Sequence, residues 1–519
     1  MRLGLLLFLL AGCASGSRQL VIFHTSDVHG GIESRPAKWH AANPARLIGG
    51  QAALGALVAA ETRPKLLLDS GDIFQGTPIG NLTRGEAVVA GMNALGYTAA
   101  AVGNHEFDYG EQTLVALDDL ADFPFLAANI RRKDNGERPT YAQPSLLVEV
   151  GGISVGIVGL ATRHTTTSTL PANVAHLLFE DEVAAGERAA RKLREQGAEL
   201  VVALSHCGLA PSHARKRVDA DALKLTPLDE AWGGDLRIAR ETSVDLVLGG
   251  HLHTGISGTW RDPVSGKVIV QSFEGLEAAS RVEVTLGSDG EVTAKSELID
   301  LWVDEHGEDA RVLGVVTAYA ERLGPALARP VATLSEDLRR APPPPTQTYA
   351  TLDSPLGNFF ADAMWRSVPD ADGAVQNTHG IRADLYAGSV TVRDVYRVMP
   401  FDNTVTVVTL SGAQLTDWLR GALAGGQSKL QVSNIAATVT FDERGAVSSL
   451  RIAVGGAAVE PERQYRIVTN SYLTSGGSGG LVGLPVLDTA RSLRDVLEAE
   501  LEDASPVSAP KTGRILQNL

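Results

Sequence analysis

Short apolar runs recur through the first half of the chain: Leu20–Phe23, Lys65–Leu68, Ala99–Val102, Ile153–Val158, Leu200–Leu204 and Val244–Leu248. Among them lie Gly50–Glu61, Arg84–Leu95, Glu111–Leu120 and Ala184–Gln196, which read as helices. Unbroken apolar runs of four to six residues predict strands buried on both faces. Their alternation with helices predicts an α/β domain. Near Trp302 the pattern changes. Glu308–Leu327 reads as one amphipathic helix ending before Arg329-Pro330, and Pro342–Pro345 predicts a stiff extended stretch. The predicted division is therefore 20–305 for a first domain, 306–330 for a linker helix and 331–519 for a second α/β domain.

Polar residues gather directly after the predicted strands. Leu20–Phe23 leads into His24-Thr25-Ser26-Asp27-Val28-His29, and Lys65–Leu68 into Asp69-Ser70-Gly71-Asp72. Ala99–Val102 leads into Gly103-Asn104-His105-Glu106-Phe107-Asp108, Leu200–Leu204 into Ser205-His206, and Val244–Leu248 into Gly249-Gly250-His251-Leu252-His253. In α/β sheets, sites form from the loops after strand ends. Each of these residues alone also fits a plain structural role: a buried histidine, or an aspartate capping a turn. Seven ligand-type side chains at five strand ends point instead to one metal centre. They are Asp27, His29, Asp72, Asn104, His206, His251 and His253.

Two divalent ions about 3.5–4 Å apart can activate a water and clamp a phosphate ester. Mixed carboxylate, amide and imidazole donors suit manganese, zinc, cobalt or iron rather than calcium. The expected cofactor is thus a pair of divalent ions, with the metal left open.

Composition narrows the partners. The chain has 519 residues, too many for one ordinary domain, and a formal net charge of −15. So acidic a surface disfavours a nucleic-acid polymer but leaves a small anionic substrate open. Residues 1–19 read as a signal and tether: Met1-Arg2, then Leu3–Leu10, too short to span a bilayer as a mature helix. Leu10-Ala11-Gly12-Cys13 resembles a bacterial lipoprotein signal. The resemblance implies cleavage before Cys13, lipidation of its thiol, and export to the cell envelope with a lipid anchor in the membrane. A simple secretory signal is the plainer alternative. Cys207 is the only other cysteine. It reads as a small buried side chain.

The blocks Asp27-Val28-His29, Gly71-Asp72-Ile73-Phe74-Gln75-Gly76, Gly103–Asp108 and Gly250-His251-Leu252-His253 resemble those of calcineurin-like metallophosphoesterases, in the family's order. The extension Glu106-Phe107-Asp108-Tyr109-Gly110 is similar to the 5′-nucleotidase branch. The resemblance implies a four-layered α/β/β/α sandwich followed by an α/β substrate-binding domain. It implies that Asp27, His29, Asp72 and His253 hold one ion, that Asp72 bridges, and that Asn104, His206 and His251 complete the other. It further implies that His105 and Asp108 form a catalytic dyad. Asp108 also fits a helix N-cap before Glu111–Leu120.

The second domain carries Leu356–Ala363, Asn377–Asp384, Met399–Asn403 and Asn470–Gly480, which resemble the 5′-nucleotidase C-terminal domain. Arg382 offers a planar fork for oxyanions. Phe401 and Tyr472 match positions that stack on a base, and Asn377 a binding position. The chain departs from that pattern at three places. Thr378-His379 add bulk after Asn377, Ser478 stands where relatives often carry aspartate, and Tyr349–Asp353 lacks an arginine that many relatives use on phosphate. The expected activity is 5′-nucleotidase-type hydrolysis of nucleoside phosphates. UDP-sugars, nucleoside diphosphates, 2′,3′-cyclic nucleotides and thiosulfate or sulfate esters are the alternatives, with a non-catalytic nucleotide-binding lipoprotein as a different class.

Overall fold

In the computed structural model, which describes residues 17–425, 428–442 and 444–518, every one of those apolar runs carries a strand. Most extend at their polar ends: Arg18–Thr25, Lys65–Asp69, Ile153–Ala161 and Leu200–His206. Ala99–Ala101 is shorter, and Leu246–Gly249 begins two residues late. Cys13 lies outside the described residues. Among the described residues, no helix is long and apolar enough to cross a membrane.

The strands form two stacked sheets. The first runs Val292–Asp300, Ala278–Leu286, Arg18–Thr25, Lys65–Asp69, Ala99–Ala101, Phe125–Leu126. The second runs Val268–Gln271, Leu246–Gly249, Leu200–His206, Ile153–Ala161, Ser145–Val150. The central strands pair in parallel, so their C-terminal ends point the same way. Alternation within one apolar run then serves two cores. Leu20, Ile22, Leu66 and Leu68 of the first sheet meet Leu200, Val202, Leu204 and Leu246 of the second in the core between the sheets. Val21, Phe23 and Leu67 point the other way, against the helices Gln51–Ala60, Glu86–Leu95 and Glu111–Leu120. Val201 and Ala203 do the same for Glu182–Glu195 and Gly234–Glu241 on the outer face of the second sheet. The result is four layers: helix, sheet, sheet, helix.

The helix Ala310–Leu327 starts at Asp309, whose carboxylate accepts the N–H groups of Arg311 and Val312, each at 3.0 Å. Val312 and Val316 bury it against the first domain's outer helices. Beyond it, a five-stranded sheet runs Leu430–Ser433, Gly373–Asn377, Gln464–Asn470, Thr404–Ser411, Val486–Ser492. Pro355–Arg366 and Leu493–Asp503 cover one face. Gly412–Leu423 and a second five-stranded sheet cover the other. Asn358, which a turn would also suit, sits fully buried on the helix Pro355–Arg366 and donates to Asp353 at 2.6 Å.

The two domains touch through polar contacts. Arg393 pairs with Glu33 at 2.5 Å, the Asn81 amide donates to the Pro400 carbonyl, and the Tyr472 hydroxyl donates to the Thr167 carbonyl at 2.7 Å.

Candidate metal centre and cavity

The five strand ends converge where the two sheets meet. Asp27, His29 and His253 form one group of donors, and Asp72, His206 and His251 another, each with its donor atoms within 4.8 Å of one another. Five of these six residues, Asp27, His29, Asp72, His251 and His253, have left-handed backbone with φ between 48° and 80°. That conformation costs a non-glycine residue roughly 1–3 kcal/mol, and such residues cluster at functional sites.

The histidines are oriented from behind. The His29 Nδ1–H donates to the Gln75 carbonyl at 2.7 Å, and the His206 Nδ1–H to the Ser70 carbonyl at 2.6 Å. The His253 Nδ1–H donates to the Glu274 carboxylate. Each of these rings therefore turns its Nε2 inward. The Nε2 atoms of His29 and His253 face each other at 2.9 Å. His206 Nε2 lies 3.0 Å from the Asp72 carboxylate. Asn104 spends its amide N–H on the Ser168 carbonyl at 3.4 Å, leaving its buried Oδ1 without a hydrogen-bond partner among the described residues. Imidazole nitrogens, carboxylates and an amide oxygen turned inward this closely are the donor set that divalent ions of the zinc and manganese kind take. The residues present therefore fit a metal pair.

Protons would otherwise have to fill that role. Burial pulls the His206 imidazole down, but Asp72 and Asp27 outweigh it and push it up to about 10. Burial drives the Asp27 carboxyl up to about 7.

Glu106 ties the loops together, and the sequence reading passed over it. Its carboxylate accepts three backbone N–H groups: Gly103 at 2.7 Å, Asp72 at 2.9 Å and Ile73 at 2.8 Å. Gly103 must be glycine, because a Cβ there would lie 2.3 Å from Asp72 Oδ1. The position of Glu106 inside the block Gly103–Asp108 was the available signal.

His105 and Asp108 are joined at 2.7 Å through Nδ1. Burial lowers the imidazole, the Asp108 and Asp72 carboxylates outweigh it, and the net shift is upward. Asp108 does not cap the following helix; Gly110 is its N-cap, and the other Asp108 oxygen accepts the Thr169 hydroxyl at 2.8 Å.

The centre opens into a cavity of about 960 Å³ lined by both domains. Arg382, Phe401, Tyr472 and Asn377 all line it. Arg382 Nη2 lies 3.1 Å from His29 Nε2, and the Phe401 ring lies 5.7 Å from that of His105. The Tyr472 hydroxyl also meets Ser478 Oγ at 2.8 Å, and Asn377 Oδ1 accepts the Asn470 amide at 2.9 Å. Arg215, His379 and Trp232 line the same cavity and were not singled out as site residues from the sequence. Cys207 is buried and free.

The family model described as "Calcineurin-like phosphoesterase" matches residues 20–255, and that described as "5'-nucleotidase, C-terminal domain" matches 330–488. The chain belongs to the 5′-nucleotidase family of metallophosphoesterases. It is similar to a 5'-nucleotidase of Vibrio vulnificus, 27% identical over 554 residues, covering 97% of this chain and 95% of the relative. It is similar to endonuclease YhcR of Bacillus subtilis, 25% identical over 480 residues and 88% of this chain, but spans only 37% of that relative's length. Among solved structures, a 5'-nucleotidase precursor from Thermus thermophilus superposes with a TM-score of 0.81 at 27% identity, covering 96% of this chain and 99% of the other.

Exchanging Glu106 for Gln replaces an acceptor by an amide N–H facing backbone N–H groups. Metal content after purification, read by elemental analysis, should fall, with activity down about 10- to 100-fold. Full metal occupancy and activity in E106Q would show that the clamp is dispensable.

Proposed function

We propose that the chain hydrolyses nucleoside monophosphates to nucleoside and phosphate. One observation carries this reading: a single cavity joins the paired donor groups to Arg382, Phe401 and Tyr472. Asp27, His29 and His253 would hold one divalent ion, Asn104, His206 and His251 the other, with Asp72 between them. Such a pair supplies an activated water and neutralises phosphoryl charge.

The chain's own groups do the rest. Arg382 offers its fork to the phosphoryl oxygens. His105, whose cationic form Asp108 favours, donates toward the transition-state charge or the leaving oxygen. Phe401, beside His105, and Tyr472, held by Thr167 and Ser478, offer aromatic faces to the base. The full-length similarity to the Vibrio 5'-nucleotidase supports the same substrate class. Export and a lipid anchor at Cys13 complete the proposal.

Chelation should abolish phosphate release from AMP, and manganese, zinc or cobalt should restore it. His105→Ala should lower kcat at least about 100-fold in the restored enzyme; unchanged turnover would remove His105 from the chemistry. Phe401→Ala should raise KM for AMP roughly 5- to 100-fold while leaving p-nitrophenyl phosphate nearly unaffected. Equal effects on both substrates would rule out base stacking. In a bacterial host fed labelled palmitate, the wild type should take up label and Cys13→Ala should not; equal labelling of the two, or none in either, would contradict the anchor.

A further inference from the structure

Arg215 lies on the loop between the turn Pro211–His213 and the strand Arg217–Asp219, in the catalytic domain. Its backbone is left-handed, with φ of 58°, and its N–H donates to the Leu252 carbonyl at 2.9 Å. The loop is thereby fixed to the segment that carries His251 and His253. The guanidinium lines the cavity and makes no hydrogen bond or ion pair among the described residues. Its neighbour Arg217, by contrast, pairs with Asp300 and Glu277.

The other arginines nearby are committed. Arg339 pairs with Asp337 and Asp384. Arg340 donates to the Arg382 carbonyl at 2.8 Å and sits 3.5 Å from Glu274. Glu274 itself is taken by His253 and Arg340. This leaves Arg215 and Arg382, which both line the cavity, without an ion-pair partner among the described residues. Burial, then Arg382, pulls Arg215 down to about 9, the direction expected of a cation lacking its anion. Unbalanced charge in a cavity favours a bound anion.

We infer that Arg215 is an oxyanion-binding residue of the phosphohydrolase site, supplied by the catalytic domain in a chain whose segment Tyr349–Asp353 has no arginine. Its planar fork reaches the phosphoryl oxygens beside Arg382. The inference rests on the phosphohydrolase reading for its substrate, but its test does not need turnover.

Inorganic phosphate binding to the manganese-loaded full chain is measured by calorimetry for wild type, Arg215→Ala and Arg215→Lys, alongside KM and kcat for AMP. Arg215→Ala should weaken phosphate binding and raise KM about tenfold or more. Arg215→Lys, which keeps the charge but loses the fork, should fall between, and added guanidinium should restore part of the loss in the alanine variant. Phosphate affinity and KM equal to wild type in both variants overturn the proposal, as does a wild-type protein that binds no phosphate. Arg215-dependent phosphate binding without AMP hydrolysis would overturn the nucleotidase reading and leave this one standing.

Discussion

Lone pairs held face to face are the constraint on which the rest of the structure depends. His29 and His253 turn their Nε2 atoms to each other, and Asn104 Oδ1 has no hydrogen-bond partner among the described residues. Such an arrangement is repulsive unless cations occupy it. It persists because the donors are fixed on their far sides, by Gln75, Ser70, Glu274 and Ser168. The left-handed backbone at five ligand positions adds strain that the two large apolar cores must offset.

The two sheets explain why the donors meet. The ends of Arg18–Thr25, Lys65–Asp69 and Ala99–Ala101 come from one sheet, and those of Leu200–His206 and Leu246–Gly249 from the other. The His206 Nδ1–H on the Ser70 carbonyl, and the Ser70 hydroxyl on the Leu248 carbonyl at 2.9 Å, join the sheets at this edge. Glu106 then sets the spacing of the loops that carry Asp72 and Asn104. The second domain closes the cavity and adds the rings of Phe401 and Tyr472 and the guanidinium of Arg382.

Much of this was legible because buried parallel strands are continuous apolar runs and their ends carry the function. Leu20–Phe23 and Leu200–Leu204 announced both their burial and the ligands after them. The strands Ala278–Leu286 and Val292–Asp300 were missed, since polar, half-buried or exposed positions alternate through them and break the run. Glu274 was invisible as a site residue because its partner ring, His253, is brought near only by folding, and Glu106, although inside the block Gly103–Asp108, holds the distant N–H groups of Asp72 and Ile73. Arg215 was equally hidden: its lack of a partner is a property of the cavity, not of its neighbours in the chain. Asp108 shows a different case: local sequence offered a helix cap, but its carboxylate bonds His105 three residues back and Thr169 across the fold.

The most direct test of the central claim is a crystal structure of the full chain grown with manganese, with anomalous diffraction recorded at the metal edge. The account predicts two peaks about 3.5–4 Å apart, one beside Asp27, His29 and His253 and one beside Asn104, His206 and His251, with Asp72 between. A single peak, or peaks away from these side chains, would contradict it.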